Sequence, residues 1–151
     1  MAQIQMVEIA MPAQMFDLGE RIGAQLRAGD LVLLNGPLGA GKTLLTQGIG
    51  AALGIEGITS PTFVISRTHI GQPPLIHVDA YRLLQSENPN LSLDDLDLDS
   101  EVENAVTVVE WGGHAAARLS DERLEITIDR SDEVRKVSAH GIGERWKGFK
   151  L

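Results

Sequence analysis

Residues 31–54 read LVLLNGPLGAGKTLLTQGIGAALG and join an apolar run, a glycine-rich turn and an amphipathic stretch. The run Leu31–Leu34 is typical of a strand that is buried on both faces of a parallel sheet. Gly36 to Thr43 match the phosphate-loop pattern G-x-x-x-x-G-K-[ST]. From Lys42 the apolar residues recur at helical spacing, and Gly54 is the predicted end of this helix. Strand, glycine loop and helix therefore follow one another in the order that this motif requires.

Elementary chemistry explains the residue types of the loop. A polyphosphate needs many hydrogen-bond donors at close range, and consecutive backbone N–H groups in a tight turn supply them. The loop leads into the N-terminus of a helix, whose free N–H groups and positive dipole end favour an anion. Lys42 can reach the β- and γ-phosphates, and the Thr43 hydroxyl can ligate Mg²⁺. The predicted nucleotide-binding residues are Gly36, Pro37, Leu38, Gly39, Ala40, Gly41, Lys42 and Thr43.

Two acids directly follow further apolar runs. Asp79 follows Leu75–Val78, and Glu110 follows Val106–Val109. In a parallel sheet both acids would reach the carboxyl edge, where the phosphate loop also lies. Each acid can bind Mg²⁺ directly or through water, or orient the attacking water, and the sequence leaves these two roles open. The alternative is that an acid after a strand only marks where solvent begins.

The segment Ser60-Pro61-Thr62-Phe63 separates the loop helix from the next strand. Many phosphate-loop proteins keep a segment that senses the γ-phosphate at this place, and Thr62 offers a hydroxyl for it. An ordinary turn that enters a strand is the alternative. The predicted catalytic set is Lys42, Thr62, Asp79 and Glu110, and the predicted metal set is Thr43, Asp79 and Glu110.

The rest of the chain adds an edge strand, a helix and several short strands. Residues 4–9 alternate weakly, and Pro12 opens a helix that we expect to end at Gly29. The apolar stripe of this helix consists of Met15, Leu18, Ile22 and Leu26. Further strands are predicted at 63–65 and 124–128, and 134–139 is expected to pair antiparallel with the latter. The prediction is an α/β fold with a P-loop NTPase-type, mostly parallel central sheet, antiparallel additions and few helices.

We expect residues 1–151 to form one domain, with about 140–151 as a flexible tail. Trp146 and Phe149 in that tail are interpreted as a docking end, and His77 as a buried sheet residue rather than a metal ligand. Residues 94–103 are interpreted as a solvated or partner-facing acidic segment.

Composition narrows the partners and the compartment. Thirteen basic and twenty-one acidic residues give a net charge of −8, which argues against direct binding of DNA or RNA. The absence of cysteine excludes a disulfide, a thiolate zinc site and a cysteine nucleophile. No apolar run approaches the roughly 20 residues of a membrane span, and the first residues do not form a signal peptide. We therefore expect a cytoplasmic protein without membrane contact.

Four motifs in this order and spacing resemble the TsaE (YjeE) family of small bacterial P-loop ATPases. They are LLNGPLGAGKTLLTQGIGAALG, SPTF, HVDAYRL and VVEW, and the resemblance covers residues from about 13 to 130. It implies that residues 36–43 hold ATP, that Thr43 and Glu110 serve the Mg²⁺ site, and that Asp79 lies at the active site. It also implies that Thr62 belongs to a switch-like segment and that Trp111 sits beside Glu110.

The family resemblance implies a function in making threonylcarbamoyladenosine at position 37 of tRNA. Family members work with the TsaB and TsaD proteins, and TsaD transfers the threonylcarbamoyl group. The tRNA would then be bound by the partners, in keeping with the acidic charge. Weak intrinsic ATPase activity that rises on docking is expected, since no residue stands out as an arginine finger. A small-molecule P-loop kinase and a non-enzymatic nucleotide switch remain the alternatives.

Overall fold

The computed structural model describes residues 4–37, 39–58, 66–79, 102–110 and 122–151. Within these ranges the strands are β1 (Ile4–Ile9), β2 (Leu31–Asn35), β3 (Ser66–His69), β4 (Leu75–Asp79), β5 (Val106–Glu110), β6 (Arg123–Asp129) and β7 (Arg135–Ile142). The α-helices are α1 (Pro12–Gly23) and α2 (Lys42–Ala52), and the 3-10 helices are Val102–Asn104 and Glu144–Trp146. The strand expected at 63–65 lies outside the described residues.

One mixed sheet contains all seven of these strands, in the order β1-β7-β6-β2-β5-β4-β3. Its centre is parallel, because β2 pairs in parallel with β5 and β6, and β4 pairs in parallel with β5. The pairs β1–β7, β6–β7 and β3–β4 are antiparallel. The α/β fold predicted from the sequence is thereby confirmed, including the mostly parallel centre and the edge position of β1.

Helices α1 and α2 pack against each other through glycines. A Cβ atom on Gly19 would overlap the carbonyl oxygen of Leu45, and one on Gly48 would overlap the carbonyl oxygen of Phe16. This close approach also brings Met15 of α1 against Gly41, where an added Cβ would meet the Met15 methyl carbon at 3.2 Å. Helix α1 therefore supports the point at which the phosphate loop becomes α2.

The two helices end differently from each other. Helix α2 ends in a Schellman motif, since the N–H of Ile55 donates to Gly50 and that of Gly54 to Ala51, with φ of Gly54 at +78°. The predicted end at Gly54 is confirmed. The predicted end of α1 at Gly29 is wrong, because α1 stops at Gly23 and further turns carry the buried Leu26. Gly29, with φ of +95°, lies in the turn before β2.

The C-terminal residues pack against the sheet and α1. Trp146 and Phe149 are only 5% and 9% exposed and belong to the hydrophobic core. The Gln5 side chain donates to the carbonyl oxygen of Phe149 (2.7 Å) and accepts from the N–H of Leu151 (2.9 Å). The structure differs here from the predicted flexible tail, because two aromatic rings are buried and the backbone is tied to β1. In the described part of the chain, no helix is long and apolar enough to cross a membrane.

Candidate functional site

The phosphate loop occupies the turn between β2 and α2, at the carboxyl edge of the parallel strands. Gly39 and Gly41 have φ of +78° and +112°, a region that side chains with a Cβ rarely adopt. The N–H of Ala40 donates to the carbonyl of Pro37 at 3.1 Å and closes the turn. A Cβ on Gly36 would lie 3.1 Å from the carbonyl oxygen of Ile128. The loop is thus a cradle of bare main chain, while Leu38 lies outside the described residues.

Lys42 and Thr43 stand at the start of α2. Lys42 is 7% exposed, and its Nζ donates to the carbonyl oxygen of Gly36 at 2.7 Å. The Thr43 side chain is half-buried in the first turn of the helix. The ammonium group therefore lies back across the loop, close to where a polyphosphate would supply it with anionic oxygens.

The two acids predicted from the strand ends come to the same edge of the sheet. Asp79 and Glu110 are direct register partners on β4 and β5, and Glu110 is also the register partner of Leu34 on β2. Asp79 is described only by its backbone, and Thr62 and Trp111 lie outside the described residues. Glu110 therefore lies on the strand next to β2 and Asp79 on the strand beyond it, both at the sheet edge that carries the phosphate loop.

Glu110 is buried, and its neighbour is His77, for which the sequence predicts only burial in the sheet. Its carboxylate oxygen Oε1 lies 3.2 Å from Nε2 of His77, and the two side chains are 5% and 0% exposed. These two atoms are not aligned for a linear hydrogen bond, and neither has another hydrogen-bond partner in the described ranges. Strand register is the signal that could have found this pair, because His77 pairs with Val108, two residues before Glu110.

Two arginines of the β6–β7 hairpin also contact the phosphate loop. Arg135 Nη2 donates to the carbonyl oxygen of Gly39 at 3.2 Å. Arg130 Nη1 lies 2.5 Å from the position that a Cβ on Gly39 would take. The turn between these arginines is held by Asp129, which accepts the N–H of Ser131 at 2.8 Å, and this hydrogen bond lowers the pKa of Asp129. No spacing in the sequence predicts this approach, because some 90 residues separate the two segments.

The residues present fit a nucleotide with Mg²⁺. The loop offers a cradle in which a Cβ on Gly36 or Gly39 would meet close neighbours. Among the described residues no donor is aligned on the buried Oε1 of Glu110, so these residues leave the carboxylate unsatisfied, as suits one that serves a metal site. In the part of the chain that the structure describes, no group of three or more His, Cys, Asp or Glu could hold a metal alone. Mg²⁺ is commonly bound by one or two carboxylates together with substrate phosphates, which such a site would match.

Comparison with known proteins gives consistent matches. The family model described as threonylcarbamoyl adenosine biosynthesis protein TsaE matches residues 9–137. The tRNA threonylcarbamoyladenosine biosynthesis protein TsaE of Streptomyces coelicolor is 52% identical over 141 residues, covering 87% of this chain and 93% of its own length. The protein of the same name from Bacillus subtilis is 35% identical, covering 90% and 85%.

A solved structure is similar as well. It is the crystal structure of Bacillus subtilis YdiB, which matches with a TM-score of 0.78 and 30% identity. The match covers 98% of this chain and 92% of that one. These findings confirm the resemblance that the four sequence motifs carry.

Proposed function

The chain belongs to the TsaE family, and from this premise we propose that it is an ATPase subunit of the machinery that makes threonylcarbamoyladenosine in tRNA. The names of the relatives support the pathway. One observation carries the ATPase assignment: a glycine cradle with Lys42 at its helix lies at the same sheet edge as the buried Glu110. That arrangement brings phosphate donors, a cation and a carboxylate together, as phosphoryl transfer to water requires.

Each residue of the site has a proposed task. The backbone N–H groups of residues 36 and 38–43 bind the phosphates, since Pro37 has no N–H to donate, and Lys42 exchanges the Gly36 carbonyl for phosphate oxygens. Thr43 and Glu110 would hold Mg²⁺, which would neutralise charge on the phosphate oxygens. Asp79 would orient the attacking water, and Thr62 would sense the γ-phosphate. Arg135 keeps the loop in shape through the Gly39 carbonyl.

The same proposal covers partners and location. TsaD and TsaB are the proposed partners, and tRNA, modified at adenosine 37, is contacted through them. A net charge of −8 supports this division of labour, because a chain that grips a nucleic acid alone usually has a basic face. We propose a cytoplasmic location and an ATPase that is weak alone and stimulated when the partners dock.

Calorimetry and turnover measurements test this function. The purified chain is titrated with ATP in the presence of magnesium, and its ATP hydrolysis is measured with and without the TsaB–TsaD complex. We expect binding by the chain alone and a rate that rises at least tenfold with the complex. Absence of a binding heat would contradict the nucleotide site, and full-speed hydrolysis by the lone chain would contradict completion by partners.

Deletion of the gene tests the pathway and separates the kinase alternative. Nucleoside analysis of tRNA from the deletion strain is expected to show loss of threonylcarbamoyladenosine. Unchanged modification would contradict the tRNA function. Transfer of the γ-phosphoryl group to a metabolite, rather than to water, would favour the small-molecule kinase.

A further inference from the structure

We propose that His77 is a positioning residue: its Nε2, 3.2 Å from Oε1 of Glu110, fixes where this carboxylate oxygen lies and leaves the other oxygen for the metal of the bound nucleotide. This inference rests on the proposed function, since it gives Glu110 its task in an ATP–Mg²⁺ site. It assigns a part to a histidine for which the sequence pattern predicts only burial in the sheet.

The sheet fixes the distance between the two side chains. His77 lies on β4, where its backbone pairs with Val108 on β5 and with Arg67 on β3. Glu110 lies two residues beyond Val108 on the same strand, so the histidine and the glutamate are diagonal neighbours. Their nearest polar atoms are 3.2 Å apart. A contact between two paired central strands is more rigid than a contact made by a loop.

Because both side chains are buried, the contact with His77 affects how the Glu110 carboxylate is oriented. The His77 side chain is fully buried and that of Glu110 is 5% exposed, so water does little to orient either group. A buried carboxylate is costly unless a polar group reaches it, and in the described ranges His77 is the polar side chain found within 4 Å of Oε1. The carboxylate orientation therefore depends on this imidazole more than on any other described side chain.

Simple packing does not explain an imidazole at this position. Leu75, on the same face of β4 as His77, and Val108, its register partner on β5, are buried aliphatic side chains. A third aliphatic residue would fill the space without the cost of two buried ring nitrogens that have no aligned partner among the described residues. A polar side chain is accounted for when its partner is the carboxylate that serves the metal, as is common for the groups around metal ligands.

The test separates metal-linked affinity from nucleotide affinity. The full chain is titrated with ADP by calorimetry, once with excess Mg²⁺ and once with EDTA. The readout is the Kd measured with EDTA divided by the Kd measured with Mg²⁺. His77→Leu removes the donor at similar volume and is expected to reduce this ratio about tenfold, with the EDTA affinity within about twofold of wild type. His77→Gln, which keeps an N–H donor at the same reach, is expected to restore most of the ratio.

Two further variants control for packing and for the route of the effect. Thr107→Val alters another buried polar side chain without a hydrogen-bond partner, on β5, and is expected to change neither affinity. In a Glu110→Gln background, His77→Leu is expected to have little further effect, since the group that it positions has lost its charge. If His77→Leu does not fold, His77→Asn serves instead, because its amide is too short to reach Oε1.

The outcomes distinguish this inference from the proposed function. A wild-type chain whose ADP affinity does not respond to Mg²⁺ would overturn the metal site and, with it, the task given to His77. A wild-type response that survives in His77→Leu, or an equal loss with Mg²⁺ and with EDTA, would overturn the positioning role alone. An effect of His77→Leu that stays as large in the Glu110→Gln background would overturn it too.

Discussion

Two buried carboxylates at opposite edges of the sheet differ in how their charge is satisfied. Asp30 lies before β2 at the amino edge, Glu110 lies at the end of β5 at the carboxyl edge, and each is 4% exposed. Asp30 accepts from Arg145 Nε and Nη2, both at 2.8 Å, and from the N–H of Arg27 at 2.7 Å. Oε1 of Glu110 has only the unaligned His77 at 3.2 Å among the described residues.

The different hydrogen bonding of Asp30 and Glu110 indicates different roles for the amino and carboxyl edges of the sheet. A bidentate arginine with an added backbone donor satisfies a carboxylate completely and fixes two distant parts of the chain to each other. Here it ties the C-terminal segment to the turn before β2, and Arg145 Nη2 also donates to the carbonyl of Gln25 at 2.7 Å. A buried carboxylate with one poor partner contributes little to stability and is suited to a ligand. The amino edge therefore stabilises the fold, and the carboxyl edge carries the proposed nucleotide site.

The largest expected effect concerns activity at the carboxyl edge. Lys42→Ala removes the cation that reaches the phosphates, and we expect ATP turnover to fall at least about a hundredfold. Thermal unfolding should show a folded protein, because the hydrogen bond from the lysine to the Gly36 carbonyl lies within its own loop. Steady-state hydrolysis in the presence of the partner complex is the measurement.

A surface lysine is the matched control for this variant. Lys147 is 61% exposed and pairs with Glu144 at 2.8 Å, so Lys147→Ala should leave turnover unchanged. Wild-type hydrolysis by Lys42→Ala would contradict the functional assignment of the whole edge.

The next effect concerns stability at the amino edge. Arg145→Ala leaves Asp30 buried and charged, and we expect a loss of about 3 kcal/mol in the free energy of unfolding. Nucleotide affinity of the folded protein should not change, since the pair is at the other edge of the sheet. Urea denaturation and calorimetry measure the two quantities.

Another arginine provides the comparison for that loss. Arg123 pairs with Glu125 at 2.9 Å, but both side chains are partly exposed, at 21% and 32%. Arg123→Ala should therefore cost about 1 kcal/mol or less. Equal losses of unfolding free energy in the two arginine variants would show that burial does not strengthen the contribution of the Asp30–Arg145 pair.

The third effect, at Glu110, is the reverse of that at Arg145: activity is expected to fall while stability stays nearly unchanged. Glu110→Ala should lower turnover at least about tenfold, because the metal loses a carboxylate. Glu110→Gln should leave the free energy of unfolding within about 1 kcal/mol of wild type, since the charge that it removes is poorly satisfied. A stability loss as large as that of Arg145→Ala would remove the distinction between the two edges.

Local sequence patterns predict which residues meet at the carboxyl edge of the sheet. They do not predict the contact between Asp30 and Arg145 at the amino edge. The run Leu31–Leu34 and the glycine loop carry strand, turn and helix within a short stretch, and parallel pairing then brings Asp79 and Glu110 beside them. Arg145 and Asp30 are 115 residues apart, so no spacing rule links them. The sequence pattern predicts a flexible C-terminal segment instead. For the same reason the contacts of Arg135 with Gly39 and of His77 with Glu110 emerge only from the folded register.

A third carboxylate, exposed on the β6–β7 hairpin, gives the smallest expected effect and a pH dependence. The N–H of Ser131 and, to a lesser extent, the Lys136 charge lower the pKa of Asp129 below its ordinary value of 3.8. Because folding lowers the pKa of Asp129, the stabilising effect of its charge is fully present above pH 3.8. The effect is lost as the pH falls through the folded pKa. Asp129→Asn should lower Tm by no more than about 2 °C at pH 7, and the difference from wild type should shrink as the pH falls through the lowered pKa of Asp129. A difference that persists in acid would show that the turn is held by the amide geometry and not by the charge.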